Sequence, residues 1–124
     1  MTIQEAIDRV DMIKPNQFSY EQKLAWLSEL DGLIFRELIL THENAIDPAY
    51  NGYDSTTPSD TVLIVPFPYT DVYTFYLCSQ MDLGNAEIAK YNNNKQLFNN
   101  AYLTYSDYYT RTHMPLTACR EFKL

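Results

Sequence analysis

Glycine is scarce in this chain of 124 residues, which contains only Gly32, Gly52 and Gly84, each of them isolated. A loop that cradles phosphate groups needs several glycines at short spacing, because its backbone amides must approach the ligand closely. The sequence therefore excludes a nucleotide-binding loop of that kind.

Cysteine and histidine are also rare, with two residues of each. Cys78 lies in a helical pattern, Cys119 lies near the end of the sequence, and no CxxC pair occurs. Buried or idle thiols are therefore expected rather than metal ligands. His42 and His113 are too far apart in sequence to form the HExxH zinc motif.

Other patterns that accompany catalysis are missing as well. No serine lies in the strand-to-helix elbow that nucleophilic hydrolases use. Asp54, Asp60 and Asp71 border a loop, but they lack the alternate spacing of a calcium-binding loop, and a solvated acidic loop is favoured. We therefore predict no catalytic, cofactor-binding or metal site, and we expect that the chain is not an enzyme.

Positive charge and long apolar runs are in short supply. The chain has 9 basic and 16 acidic residues, a formal net charge of −7. Such a surface repels phosphate, which argues against ordinary nucleic-acid binding but leaves open a surface that DNA passes without being retained.

No apolar run approaches the length of about 18 residues that a membrane span needs, and no leader pattern follows Met1. A soluble, intracellular protein is expected.

What the sequence does contain is helical periodicity. The stretch Thr2-Ile3-Gln4-Glu5 has the spacing of a capping box and predicts a first helix that ends near Lys14-Pro15-Asn16. Ser19-Tyr20-Glu21-Gln22 predicts the start of a second helix that continues to about residue 42. Two apolar faces are expected on this helix, one of Leu24, Leu27, Leu30, Ile34, Phe35 and Leu38, the other of Trp26, Leu33 and Leu40.

One acidic residue interrupts the larger apolar face of the second helix. Asp31 projects between leucines, and a carboxylate there needs a partner because a buried charge without one is costly. We expect it to bond either a basic side chain such as Arg9 or a tyrosine hydroxyl.

A long loop is predicted at residues 44–69, where the composition shifts to Pro, Gly, Ser, Thr, Asn and Asp. Within it, the run TVLIV at 61–65 predicts one short strand fenced by Pro58 and Pro66. Since no second strand is evident, this run either covers the core as an extended segment or pairs with another subunit.

Two further long helices are predicted after the loop, and together they form a C-terminal hairpin. The third runs from about Pro68–Asp71 to about residue 91, with Gly84 in its interior at a close helix crossing. The asparagines at 92–94 are expected to form the turn and to cap the fourth helix. One face of the fourth helix is apolar and mainly aromatic: Leu97, Phe98, Ala101, Tyr102, Tyr105, Tyr108 and Tyr109. A core face is favoured over a platform for stacking bases, because Lys95 and Arg111 alone give no basic groove.

The fold class is therefore mainly α, with about four helices, a long loop and one short strand between helices 2 and 3. The length fits a single domain, assigned to residues 1–115. The remaining residues, 116–124, form a C-terminal segment.

Three stretches carry a family resemblance: KPNQFSYEQKLAWLSELDG at 14–32, DTVLIVPFPYTDVYTFYL at 60–77 and YNNNKQLFNNAYLTYSDYYTRTHMP at 91–115. The chain resembles the head-tail connector, or head-completion adaptor, proteins of tailed phages and prophages of Gram-positive bacteria. The resemblance covers roughly residues 3–115. It implies a virion structural protein, present in the host cytoplasm during assembly, of which about a dozen copies form a ring under the portal protein.

The resemblance also implies that the ring extends the DNA channel without binding DNA specifically, and that it presents a surface to a neck or tail completion protein. Tyr50, Tyr53, Val62 and Ile64 are the predicted subunit contacts, with core cover as the alternative. The predicted portal-docking residues are Arg120, Phe122 and Leu124, with a frayed end as the alternative.

Two other functions remain open at this point. One is a different phage structural protein of the neck, tail or capsid, with the same helical domain and another partner. The other is a stand-alone helical module that binds a protein through an aromatic groove. Ring formation distinguishes the connector from the stand-alone module. Portal binding distinguishes it from the other phage structural proteins.

Overall fold

The computed structural model describes residues 1–39 and 52–112. Four α-helices form the fold: α1 (Ile3–Ile13), α2 (Tyr20–Ile34), α3 (Asp71–Gly84) and α4 (Ile88–Thr112). A π-helical turn, Phe35–Ile39, continues α2. The predicted mainly α class and the four helices are confirmed. The predicted end of the second helix near residue 42 lies outside the described residues, as do Leu40 and Tyr50.

Both helix starts that the sequence marks are capped as expected. The Thr2 hydroxyl accepts from the backbone N–H of Glu5, and the Glu5 carboxylate accepts from the backbone N–H of Thr2, which completes a capping box. At the start of α2, the Ser19 hydroxyl accepts from the N–H of Gln22. Each bond satisfies an amide that has no partner within its own helix.

The predicted strand at 61–65 is not formed within the described residues. Val62 makes an isolated antiparallel bridge with Thr2, supported by bonds from Ile3 N–H to the Thr61 carbonyl and from Leu63 N–H to the Met1 carbonyl. The next two amides, those of residues 64 and 65, donate to side chains instead of to a neighbouring strand. The segment covers the core with Leu63 and Val65, as one of the two expectations stated, and pairing with another subunit stays a prediction.

The hairpin of α3 and α4 is confirmed, but its turn was predicted in the wrong place. Helix α3 ends at Gly84 and α4 begins at Ile88, so the asparagines at 92–94 lie inside α4. The turn is made by residues 85–87, where Ala86 has a positive φ of 58°. The Asn94 side chain donates to the Asp82 carboxylate at 2.6 Å, a bond between the two helices rather than a cap.

Gly84 was predicted at a helix crossing within the third helix, and this is also wrong. It is the last residue of α3, and a Cβ added there lies 3.0 Å from the ring of Phe18, which belongs to the connection between α1 and α2. The close approach therefore involves an aromatic side chain, not a second helix.

The core lies where the inner faces of the helices meet. The larger predicted face of α2 is buried throughout, whereas Leu33 on its second face is half exposed. On α4 the aromatic face is a core face, as expected: Phe98, Tyr105 and Tyr109 are buried and Leu97 lies at its edge. The buried apolar residues of α1 and α3 complete the core: Ile3, Ala6, Ile7, Val10, Val72, Tyr73, Tyr76, Leu77, Cys78 and Met81.

One ion pair joins the first two helices. The Lys23 ammonium contacts the Asp11 carboxylate at 2.6 Å, and Asn16 donates to the same oxygen at 2.9 Å. Partial burial acts to raise the pKa of Asp11, but the hydrogen bonds from Lys23 and Asn16 and the Lys23 charge outweigh it, so the pKa lies below its ordinary value. The folded chain therefore favours the ionised form of Asp11.

We predict that Ala86→Gly stabilises the protein. A left-handed backbone costs alanine about 1 kcal/mol relative to glycine, so the free energy of unfolding measured in urea should rise by about that amount. Ala101→Gly, in the interior of α4, is the matched control and should lower it by about 1 kcal/mol. A loss of stability in both variants would contradict the prediction.

We predict a pH-dependent effect of Asp11→Asn. Since the pKa of Asp11 is lower in the folded chain, its carboxylate adds stability above its unfolded pKa, and this contribution is lost as pH falls through the folded pKa. At neutral pH the variant should be less stable than the parent by less than about 1 kcal/mol, because the carboxylate is partly exposed. In thermal melts the difference in stability between the variant and the parent should vanish at strongly acid pH. The same difference at every pH would contradict the prediction.

Candidate interaction surface

A single buried carboxylate joins three parts of the fold. Asp31 of α2 is fully buried, and its Oδ1 accepts from the Tyr73 hydroxyl of α3 at 2.7 Å. Its Oδ2 accepts from the Tyr53 hydroxyl at 2.5 Å and from the backbone N–H of Ile64 at 3.2 Å. The expected tyrosine partner is therefore confirmed, whereas Arg9 contacts Asp71 instead, at 3.6 Å.

The direction of these hydrogen bonds is fixed by the chemistry of the donors. The Tyr73 hydroxyl accepts from the backbone N–H of Val65 at 2.8 Å, so its own proton points to Asp31. The N–H of Ile64 can only donate. Oδ1 of Asp31 therefore faces a hydroxyl whose oxygen already accepts from Val65, and Oδ2 faces an amide that can only donate, an arrangement that suits a carboxylate.

Burial controls the protonation of this centre. Desolvation raises the pKa of Asp31 above its ordinary value, and the bonds from Tyr53, Tyr73 and Ile64 act against the rise. Desolvation also raises the pKa of Tyr73 well above its ordinary value, and the Asp31 charge adds to this effect. Tyr73 therefore stays protonated at neutral pH and serves as a donor that holds the fold together.

The predicted contact residues have different surroundings. Tyr53 directs its hydroxyl inward to Asp31, and Ile64 is half buried with its amide on the same carboxylate. Val62 is 69% exposed. The remaining four, Tyr50, Arg120, Phe122 and Leu124, lie outside the described residues.

The 61–67 segment presents apolar side chains both to the core and to the surface. Leu63 and Val65 are buried, whereas Val62 is exposed and Phe67 is exposed to 85%. The segment is held in place by the bridge to Thr2 and by the amides that donate to Asp31 and Tyr73. Its outward side chains are therefore carried by a backbone that is fixed at several points.

A shallow cavity, the α3/α4 groove, adjoins this segment. Its volume is about 290 Å³, and its apolar lining comprises Pro68, Tyr69, Phe75, Leu97 and Ala101. Asp71, Asn100 and Thr104 supply the polar part of the lining. The Tyr69 ring is held by stacking on Tyr108, with 4.9 Å between centroids. This aromatic support fixes one wall of the groove against α4.

A second buried carboxylate links α1 to the end of the α3–α4 hairpin where its turn lies. Asp82 of α3 is fully buried, and its two oxygens contact the Lys14 ammonium and the Asn94 side chain. Lys14 caps the C-terminus of α1, so the pair ties that end of α1 to the end of α3. With its charge neutralised by Lys14, Asp82 serves to hold three helices together.

Neither a metal-binding cluster nor a membrane-length helix is found in the described part of the chain. No group of three or more His, Cys, Asp or Glu side chains there is arranged to hold a metal ion. None of the helices in residues 1–39 and 52–112 is both long and apolar enough to cross a bilayer. Comparison with protein-family models, curated proteins and solved structures finds no match for this chain.

Two important residues were not identified from the sequence. Tyr73 was not singled out, and the one signal for it was the expectation that Asp31 bonds either a basic side chain such as Arg9 or a tyrosine hydroxyl. Phe67 was treated as part of the loop, although the prolines on both sides of it disfavour regular pairing and so favour an exposed position. Both residues become prominent only once the 61–67 segment is placed.

We predict that the Asp31 centre is a major source of stability. Asp31→Asn places an amide N–H against a donor, and Tyr73→Phe leaves the Val65 amide and one Asp31 oxygen without this partner. Each change should lower the free energy of unfolding in urea by about 2 kcal/mol. The double variant should lose less than the sum, because the two residues share one hydrogen bond.

Tyr20→Phe is the control for loss of a hydroxyl, since Tyr20 is a half-buried ring elsewhere on α2. Its effect should stay within about 0.5 kcal/mol. Equal effects of Tyr20→Phe and Tyr73→Phe would refute a special role for the Asp31 centre.

Proposed function

We propose that this chain is a virion structural protein, a head-tail connector that forms a ring under the portal protein, extends the DNA channel and joins the capsid to the neck or tail. The three stretches that resemble that phage family support the proposal. So does the layout of the described fold, because the resemblance implies about four helices with a long connection between the second and third.

The observation that carries the proposal is the exposure of Val62 and Phe67 on a fixed backbone. A phenylalanine exposed to 85% and a valine exposed to 69% leave apolar area in water, which is unfavourable in an isolated chain. Both residues belong to one short segment, and exposed apolar side chains that lie together are typical of surfaces that another protein covers. Because Asp31 and Tyr73 hold the segment, contact with a second subunit would cost little ordering entropy.

The charge of the chain fits the proposed channel. A formal net charge of −7 on each subunit would give a ring a negative potential. DNA moving through such a ring finds few cations to neutralise its phosphates and is not retained. The acidic balance therefore supports passage of DNA without binding.

The proposal predicts the oligomeric state. Native mass spectrometry over a range of concentrations, alone and with the portal protein, should detect a closed ring of about a dozen subunits. Phe67→Ser should shift the distribution towards monomer, because it removes apolar contact area. The melting temperature of the isolated subunit should hardly change, since this side chain contributes little to the core.

Met12→Ser is the matched control. Met12 on α1 is 82% exposed, so the change removes a comparably exposed apolar side chain at a different place. The ring should persist in this variant. A chain that stays monomeric with and without the portal protein, or a ring that Phe67→Ser and Met12→Ser weaken equally, would overturn the proposal.

A further inference from the structure

The α3/α4 groove has the size and chemistry of a site for one large side chain. Its volume of about 290 Å³ falls at the lower limit of pockets that hold cofactors or drug-sized ligands. Phe75, Leu97 and Ala101 belong to its apolar lining, and Asp71, Asn100 and Thr104 add polar groups. A peptide that inserts one aromatic ring and keeps its backbone near those polar groups fits this arrangement.

The sequence itself contains such a peptide. Residues 116–124 read LTACREFKL, in which Phe122 is followed closely by Leu124 and accompanied by two cations, Arg120 and Lys123, and one anion, Glu121. This composition is apolar and net basic, the opposite of the acidic chain as a whole. Near the groove, Asp71 lines the cavity and contacts Arg9 at 3.6 Å, and Asp107 lies exposed one turn beyond Thr104 on α4. The charges of segment and groove are therefore complementary.

The length of the chain allows the segment to return to its own groove. Thr104 lies eight residues before Thr112, the last residue of α4, which corresponds to about 12 Å along the helix. Phe122 follows Thr112 by ten residues, and an extended chain of that length spans up to about 33 Å. The tether also keeps the segment at an effective concentration of the order of millimolar, which favours it over the same segment of a second copy in dilute solution.

We propose that the C-terminal segment, residues 116–124, docks in the α3/α4 groove of its own chain. Phe122 would enter the cavity, and Arg120 and Lys123 would lie near Asp71 and Asp107. This inference does not depend on the proposed function. For a connector it adds a regulatory step, because residues that could dock on a portal protein would be occupied until a partner displaces them.

The test uses Cys119, which lies within the segment, and a second cysteine introduced by Thr104→Cys in the full-length chain. A short bismaleimide should link the two thiols within one molecule in dilute solution, and mass spectrometry reads the product. Cys78 is buried in α3, and burial raises the pKa of its thiol, so it reacts slowly. The matched control is Thr110→Cys, which is exposed on α4, closer to the segment along the chain and turned about 120° from Thr104.

Docking in the groove should make the link to Thr104→Cys form about tenfold faster than the link to Thr110→Cys, although an undocked chain would favour the nearer position. Adding Phe122→Ala, or Leu97→Asp in the groove, should reduce the fast rate to that of the control. Equal rates in the two cysteine variants would overturn the inference. A linked dimer that disappears on dilution would also overturn it, since the occupant would then be a second copy.

Discussion

A carboxylate buried among apolar side chains is tolerated only when its environment replaces the water that it has lost, and Asp31 meets this requirement with three donors from three parts of the fold. The requirement fixes geometry as well as energy. Helix α3 must place Tyr73 beside α2, and the chain after residue 52 must bring both Tyr53 and the Ile64 amide to the same point. Asp31 thus holds the described part of the connection to α3 at two points, Tyr53 and Ile64.

The position of the 61–67 segment determines which apolar side chains lie on the surface. The amides of Ile64 and Val65 donate to Asp31 and to Tyr73, so the backbone of the 61–67 segment is held against the core. Val62 and Phe67, on either side of the buried Leu63 and Val65, are exposed on this segment. The interior polar centre and the candidate interface are therefore parts of one arrangement, in which a buried hydrogen-bond network positions an exposed apolar surface.

The abundance of tyrosine has a related explanation. On α4, Tyr105 and Tyr109 are buried, while Tyr108 is half buried and stacks on Tyr69. A tyrosine ring supplies apolar area to the core, and its hydroxyl can remain at the boundary with water or bond to a neighbour. Tyrosine therefore both builds the core face of α4 and supports the wall of the α3/α4 groove. A leucine at position 69 could not stack on Tyr108.

The sequence alone determined those features that depend on residues within about one helical turn. The caps made by Thr2, Glu5 and Ser19, the larger apolar face of α2 and the aromatic face of α4 were predicted correctly because caps and periodicity are local. Tertiary structure decided the rest. The partners of Asp31 lie 22, 33 and 42 positions away in sequence, and no local pattern selects among eleven tyrosines. The bond between Asn94 and Asp82 places the asparagine run within α4, and the bridge to Thr2 with the inward bonds of Ile64 and Val65 replaces a strand. In each case a polar group in the interior requires a partner that only the packing of distant segments supplies.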